Sequence, residues 1–183
     1  MFKDFFIKTA HQKMLSFLAT HAGKTFHERE LVRKTGITAG SANRVLNELF
    51  KAGILKREKR GKMYFYSLDE SDPSVRQFKV FNIILSLDPL VKKLKPWTNT
   101  LILYGSSSQG TDDYESDIDL FVVTSAEEKV RKTVDKFKFP REIKIVLKNL
   151  SEWLELESQD QVYYDEISRG IILWEKPINE SRL

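Results

Sequence analysis

The chain has 183 residues, with 30 Lys plus Arg against 26 Asp plus Glu and no cysteine. That length suits one domain or two small ones, and 41% hydrophobic with 31% charged residues excludes wholesale disorder. Lack of Cys excludes disulfides, thiolate nucleophiles and Cys-held zinc. No apolar run reaches the ~20 residues of a membrane span. The apolar start (Phe2, Phe5, Phe6, Ile7) is interrupted by Lys3, Asp4 and Lys8, unlike a signal peptide. A soluble cytoplasmic protein with no membrane partner is the expectation. Residues 1–72 carry 14 basic and 8 acidic residues, a net +6, and the remainder nets −2. Such asymmetry suits two domains with different partners.

From His11, Met14, Leu15, Leu18 and Ala19 share one face of a predicted helix that Gly23 closes. Lys24-Thr25-Phe26 reads as a short extended piece, and a second helix carries Leu31 and Val32 inward before Gly36 stops it. Thr38 is a good N-cap for a third helix with an inward stripe of Ala42, Val45, Leu46, Leu49 and Phe50. After Gly53, Ile54-Leu55-Lys56-Arg57 and Met63–Leu68 read as strands joined by a basic turn, Lys59-Arg60-Gly61-Lys62.

Three helices and a basic-tipped hairpin follow the plan of a winged helix. Glu30–Leu49 with Lys51-Ala52-Gly53-Ile54-Leu55 resembles the helix-turn-helix of winged-helix transcription regulators, over about residues 10–69. Ser41, Asn43, Arg44 and Asn47 are small or polar groups suited to base edges. Arg57, Lys59, Arg60 and Lys62 are suited to phosphates. Duplex DNA is the expected partner, and paired half-sites make a homodimer the expected state.

Pro73 opens a helix with a broad apolar stripe, Val75, Phe78, Val80, Phe81, Ile84, Leu85 and Leu87, predicted to end near Asp88-Pro89. Leu90–Leu94 and a break at Lys95-Pro96 follow. Too apolar for a free linker, this helix should pack on the next domain's sheet or on a second subunit.

Leu101-Ile102-Leu103-Tyr104 is a buried-strand run ending at Gly105-Ser106, and Asp117–Val123 is a second strand. Asp117 and Asp119, two apart, point to one face while Ile118, Leu120 and Val122 point to the other. Two carboxylates on one face repel unless a cation neutralises them, and Mg²⁺ takes carboxylate and phosphate oxygens. Gly lets a backbone approach a phosphate closely, and the Ser106 hydroxyl can donate to it.

The run Leu103–Gly110 followed by Ser116-Asp117-Ile118-Asp119-Leu120 resembles the signature of polymerase-β-like nucleotidyltransferases, closest to the minimal archaeal and bacterial type. The resemblance covers about 97–175, including Ser151-Glu152-Trp153 and Gly170–Trp174. It implies an α/β domain with a small mixed sheet flanked by helices. It further implies that Asp117 and Asp119 are catalytic and hold Mg²⁺ on a nucleoside triphosphate. Gly105, Ser106, Ser107 and Gly110 would bind the nucleotide. An acceptor would attack the α-phosphorus and expel pyrophosphate.

Active members place a third carboxylate on the next strand. Here that strand is Arg141–Leu147, the expected position holds Lys144, and Glu142 lies two residues away on the same face. A Lys beside two Asp would form an ion pair or donate to a phosphate. Ser107 and Gln109 stand where relatives carry basic residues. His11, His21 and His27 read as surface side chains, and Glu152–Glu166 as a solvated helix face packing through Trp153, Leu156, Tyr163, Tyr164 and Ile167.

The expectation is therefore an α+β protein: a winged helix at 1–72, a helical linker at 73–96 and a nucleotidyltransferase domain at 97–183. Three readings follow. The chain is a DNA-binding, Mg-dependent enzyme that transfers a nucleoside monophosphate to a protein, nucleic-acid or small-molecule acceptor. Alternatively it is a transcription regulator whose degenerate transferase domain senses nucleotide or binds protein. By family analogy alone, it is an antitoxin-type component acting with a toxin partner.

Overall fold

Side-chain caps set most helix starts. Thr9 with Gln12, His27 with Glu30 and Asn149 with Glu152 form reciprocal capping boxes, and Thr38 accepts from the Ser41 N–H. The computed structural model describes residues 3–177; Phe2 of the apolar start and 178–183 of the predicted second domain lie outside the described residues. In chain order the elements are α1 (Lys3–Phe6), α2 (Ala10–Thr20), β1 (Phe26–His27), α3 (Glu28–Thr35), α4 (Ala39–Lys51), β2 (Leu55–Arg60) and β3 (Met63–Leu68). Next come α5 (Pro73–Leu94), a 3₁₀ turn at Lys95–Trp97, β4 (Thr100–Tyr104), α6 (Gly105–Gln109) and β5 (Ile118–Val123). The last are α7 (Glu127–Asp135), β6 (Ile143–Lys148), α8 (Leu150–Gln159), α9 (Gln161–Ser168) and β7 (Ile171–Glu175). No helix among the described residues is long and apolar enough to cross a membrane.

The chain divides into two units: Met1–Ser86 with Gly110–Glu115, and Leu87–Gln109 with Ser116–Leu183. The helix predicted to stop near Pro89 continues to Leu94 and is shared between the units at 86/87. Proline removes one helical hydrogen bond and strains the turn before it, at about 3 kcal/mol. Full burial of Leu87, Leu90 and Leu94 offsets that cost, each contributing about 1.5–3 kcal/mol.

In the first unit, α2, α3 and α4 bury Met14, Leu18, Leu31, Val45 and Leu46 with Leu55, Tyr66 and Leu68 from the hairpin. The strands form an antiparallel sheet in the order β1-β3-β2. Gly36 takes φ +68° at the end of α3, the left-handed conformation that lets α4 start at a new angle.

The histidines differ from the surface expectation: all three are half-buried. His27 caps α3, His11 Nε2 lies 2.6 Å from Glu48 Oε2, and His21 stacks on Phe17 at 4.2 Å and on Tyr114 at 5.0 Å. The sequence pattern left them outside the packing because each lies at the edge of an apolar stripe rather than on it.

Lys79 is a cation on the packed side of α5. It is fully buried; Nζ donates to Glu70 Oε2 at 2.6 Å and to the Asp112 carbonyl, with Asp112 Oδ1 at 3.6 Å. The 110–115 segment is further held by the Tyr114 N–H donating to the Ala22 carbonyl at 3.0 Å, and Lys24 Nζ lies 3.4 Å from the Tyr114 ring centre. Gly110 has φ +70°, and a Cβ there would sit 2.3 Å from the Arg76 carbonyl oxygen, so glycine is required.

In the second unit the sheet order is β6-β5-β4-β7, with β5 and β6 parallel and the other pairs antiparallel. This matches the small mixed sheet flanked by helices implied by the resemblance. One face carries Leu101, Leu103, Ile118, Leu120 and Val122, all fully buried. The other carries Ile102, Tyr104, Phe121, Val123 and Val146 under Trp153, Leu156, Tyr163, Tyr164 and Ile167. The acidic stretch expected as one helix face is two helices. Asp160 ends α8 and caps α9, its carboxylate accepting from the Tyr163 N–H at 3.0 Å.

Candidate functional site

Strand register builds the site. Tyr104 pairs with Asp119 across β4 and β5, and Asp119 pairs with Lys144 across β5 and β6. Paired residues share a face, so Tyr104, Asp119 and Lys144 form one row on the sheet, with Asp117 two residues before Asp119. Lys144 Nζ lies 2.5 Å from Asp117 Oδ2. The question of which side chain meets the aspartates therefore has a geometric answer: Lys144 does. Glu142 precedes β6, and its carbonyl accepts from the Ile118 N–H at 2.9 Å.

Electrostatics follow. Partial burial, then the charge of Asp117, raise the Asp119 pKa, while Lys144 and Arg141 oppose the rise. The hydrogen bond to Asp117 and its charge raise the Lys144 pKa. Burial and the Tyr163 hydroxyl push Tyr104 up; the two hydroxyls lie 3.3 Å apart. Among the described residues no group of three or more His, Cys, Asp or Glu could hold a metal ion.

The Gly-Ser segment, expected as a turn, is the short helix α6. Gly105 has φ +66°, and a Cβ there would lie 2.9 Å from Asp119 Oδ2. Only glycine lets the backbone pass so close to that carboxylate. Ser106 is half-buried at the start of α6. Ser107 is fully buried, its hydroxyl donating to the Asp117 carbonyl at 3.2 Å, and Ser108 Oγ donates to the Gly105 carbonyl at 2.7 Å. Gly110 lies in the first unit, against the Arg76 backbone.

Arg141 was not singled out from the sequence. Only 9% exposed, it donates to the Ser116 carbonyl at 2.6 Å, and to the Asp117 carbonyl and Ser107 Oγ at 3.1 Å each. It fastens α6 to the start of β5 and so sets the spacing between Gly105 and the aspartates. Read from the sequence as the first residue of the third strand, Arg141 precedes β6, which starts at Ile143, and only the fold buries it.

In the first unit, Asn43 Nδ2 donates to Glu28 Oε2 at 3.0 Å, and Asn47 Nδ2 donates to the Asn43 carbonyl at 2.9 Å. Arg57 was expected at phosphates. It lies instead mid-strand, donating to Asn47 Oδ1 at 3.4 Å between the rings of Phe50 (4.0 Å) and Tyr64 (4.6 Å). Arg44, Lys59 and Lys62 are exposed, Ser41 is half-buried, and Arg60 pairs with Glu58 at 2.6 Å. A groove of about 500 Å³ between α4 and the hairpin is lined by Asn43, Asn47, Arg57, Lys62 and Tyr64 among others.

Compared with the curated proteins, the chain matches none. Among solved structures it matches the crystal structure of hypothetical protein PyrSV_gp04 from Pyrobaculum spherical virus, at 19% identity and a TM-score of 0.29. The match covers 48% of this chain and 56% of that one, so the chain spans little more than half the length of that protein. Residues 90–179 match the family model described as "Polymerase beta, Nucleotidyltransferase", which supports a nucleotidyltransferase domain in the C-terminal part of the chain.

Proposed function

We propose that the C-terminal domain binds a nucleoside triphosphate with Mg²⁺ and transfers its nucleoside monophosphate to an acceptor. The observation that carries this is the meeting of Asp117, Asp119 and the Gly105 backbone at one end of the sheet. Two oxygen donors on one face, one with its pKa raised by burial and by its neighbour's charge, fit a divalent cation that also takes phosphate oxygens. Asp117 and Asp119 would hold it, and it would supply charge neutralisation at the transferring phosphate. Gly105 gives the triphosphate close approach, and Ser106 offers a hydroxyl. Lys144, released from Asp117, donates to a phosphate oxygen.

A second reading rests on Lys144. A cation occupies the register position opposite Asp119 and is already paired with Asp117. This favours a domain that binds nucleotide as a signal without transferring it.

The N-terminal unit supports a winged-helix reading: α2, α3 and α4, a three-stranded antiparallel sheet and exposed Arg44, Lys59 and Lys62. We infer that it binds duplex DNA through α4 and the hairpin, with Arg44 and Asn43 at base edges and Lys59, Arg60 and Lys62 at phosphates.

Transfer from α-labelled nucleotide with Mg²⁺, abolished by Asp117→Ala with Asp119→Ala, would establish the enzyme. Triphosphate binding without turnover, with Lys144→Asp gaining transfer, would establish the sensing reading. For DNA, Arg44→Ala should weaken duplex binding, and Lys62→Ala should reduce the salt slope by about one. Duplex affinity that does not change with salt would refute the DNA assignment.

A further inference from the structure

A cavity of about 260 Å³ in the second unit is lined by Gln109, Val162, Asp165, Glu166 and Arg169. Two lines of connection tie it to the candidate site. Gln109 is the last residue of α6, whose first residue, Gly105, lies against Asp119. Glu166 stands one helical turn beyond Tyr163, whose hydroxyl meets that of Tyr104, the register partner of Asp119. The charges of Asp119 and Glu166 both act on the Tyr104 hydroxyl, behind burial and Tyr163.

Polar groups converge on this cavity unused. The side chains of Gln109, Glu166 and Arg169 make no hydrogen bond or ion pair with the described residues. Glu166 lies in the last turn of α9 and Arg169 is the residue that caps its C-terminus, and the two do not pair. Asp165 differs, since its carboxylate accepts from Gln161 at 3.0 Å. Val162, 81% exposed, adds an apolar surface. A cavity with free carboxylate, amide and guanidinium groups and one apolar wall suits a planar base with donors and acceptors on its edge. Its carboxylates would repel a phosphate.

We propose that this cavity holds the nucleotide's base and selects guanine, on the reading that Asp117 and Asp119 bind a triphosphate. A carboxylate accepts two hydrogen bonds side by side. Guanine presents two adjacent donors, N1–H and the 2-amino group, on its Watson–Crick edge, where adenine presents one donor beside an acceptor. Glu166 accepts that pair, the Gln109 amide serves O6, and Val162 with the Arg169 plane covers the ring.

The test is calorimetric binding of GTP, ATP, CTP and UTP to the full chain with Mg²⁺. GTP should bind about tenfold or more tighter than the others, the scale of hydrogen bonds to a charged group. Glu166→Gln should weaken GTP about tenfold and leave ATP unchanged. Glu166 is exposed, so an unchanged melting curve will show that the variant folds. Asp117→Ala should weaken all four nucleotides alike. Equal binding of the four, tighter binding of ATP, or a GTP preference that survives Glu166→Gln overturns the guanine site while leaving the carboxylate reading standing. No binding of any nucleotide overturns both.

Discussion

Arg141→Leu is the sharpest test of how the candidate site is held. The side chain is 9% exposed and donates hydrogen bonds to the carbonyls of Ser116 and Asp117 and to Ser107 Oγ. Leucine keeps the apolar stem and removes every donor. The Asp117 carbonyl retains the Ser107 hydroxyl, so the loss is shared over the three acceptors and their common geometry. A buried acceptor without its donor costs about 1–3 kcal/mol, which puts the loss at roughly 2–5 kcal/mol. At about 2–4 °C per kcal/mol for a chain of this size, the melting temperature should fall by roughly 4–20 °C. Arg141→Lys, with one ammonium that cannot span three acceptors, should fall between. The assay is thermal unfolding followed by circular dichroism, with triphosphate binding measured well below the transition. Arg141→Leu melting within about 1 °C of the parent would refute the argument that this guanidinium fastens α6 to β5.

Lys79→Met should cost about 3–5 kcal/mol, because it leaves Glu70 and Asp112 without their shared cation. Faster hydrogen exchange at the Tyr114 amide would show the 110–115 segment loosening. Gly110→Ala forces a Cβ to within 2.3 Å of the Arg76 carbonyl at φ +70° and should destabilise by about 2 kcal/mol or more. Gly40→Ala, with nothing within 4 Å, is the control and should be neutral or stabilising in chemical denaturation. Burial lowers the His21 pKa, with Lys24 and Lys34 adding to the fall and the Phe17 carbonyl opposing it. The unfolded chain then binds the proton more readily, so this stability is present above about pH 6.5 and is lost as pH falls through the lowered folded value. His21→Phe should flatten the melting-temperature profile between about pH 7 and 5; an unchanged slope would remove His21 from the account.

Local signals read most of the elements correctly. Thr38 as a cap, Gly36 and Gly53 as stops, and the stripe of Ala42, Val45, Leu46 and Leu49 determine α4 from within its own stretch of chain. The alternation in Ile118–Val123 likewise sets which face carries Asp119, since a strand's period of two holds before any partner is known. Pro89 misled because its helix-breaking cost is local whereas the leucines that outweigh it are buried by distant residues. Arg141 and Lys79 were invisible for the same reason. A long cation reads as solvated until the fold supplies carbonyls or carboxylates for it.

The sequence by itself determined the Thr38 cap, the strand alternation and the pair Asp117 and Asp119, because these depend on residues a few positions apart. Tertiary structure alone decided that Lys144 meets Asp117 and that Arg141 joins α6 to β5. It alone brought Glu166 into one cavity with Gln109. Each of those depends on strand register or helix packing between residues 24 to 57 positions apart, and distance along the chain carries no signal of such proximity.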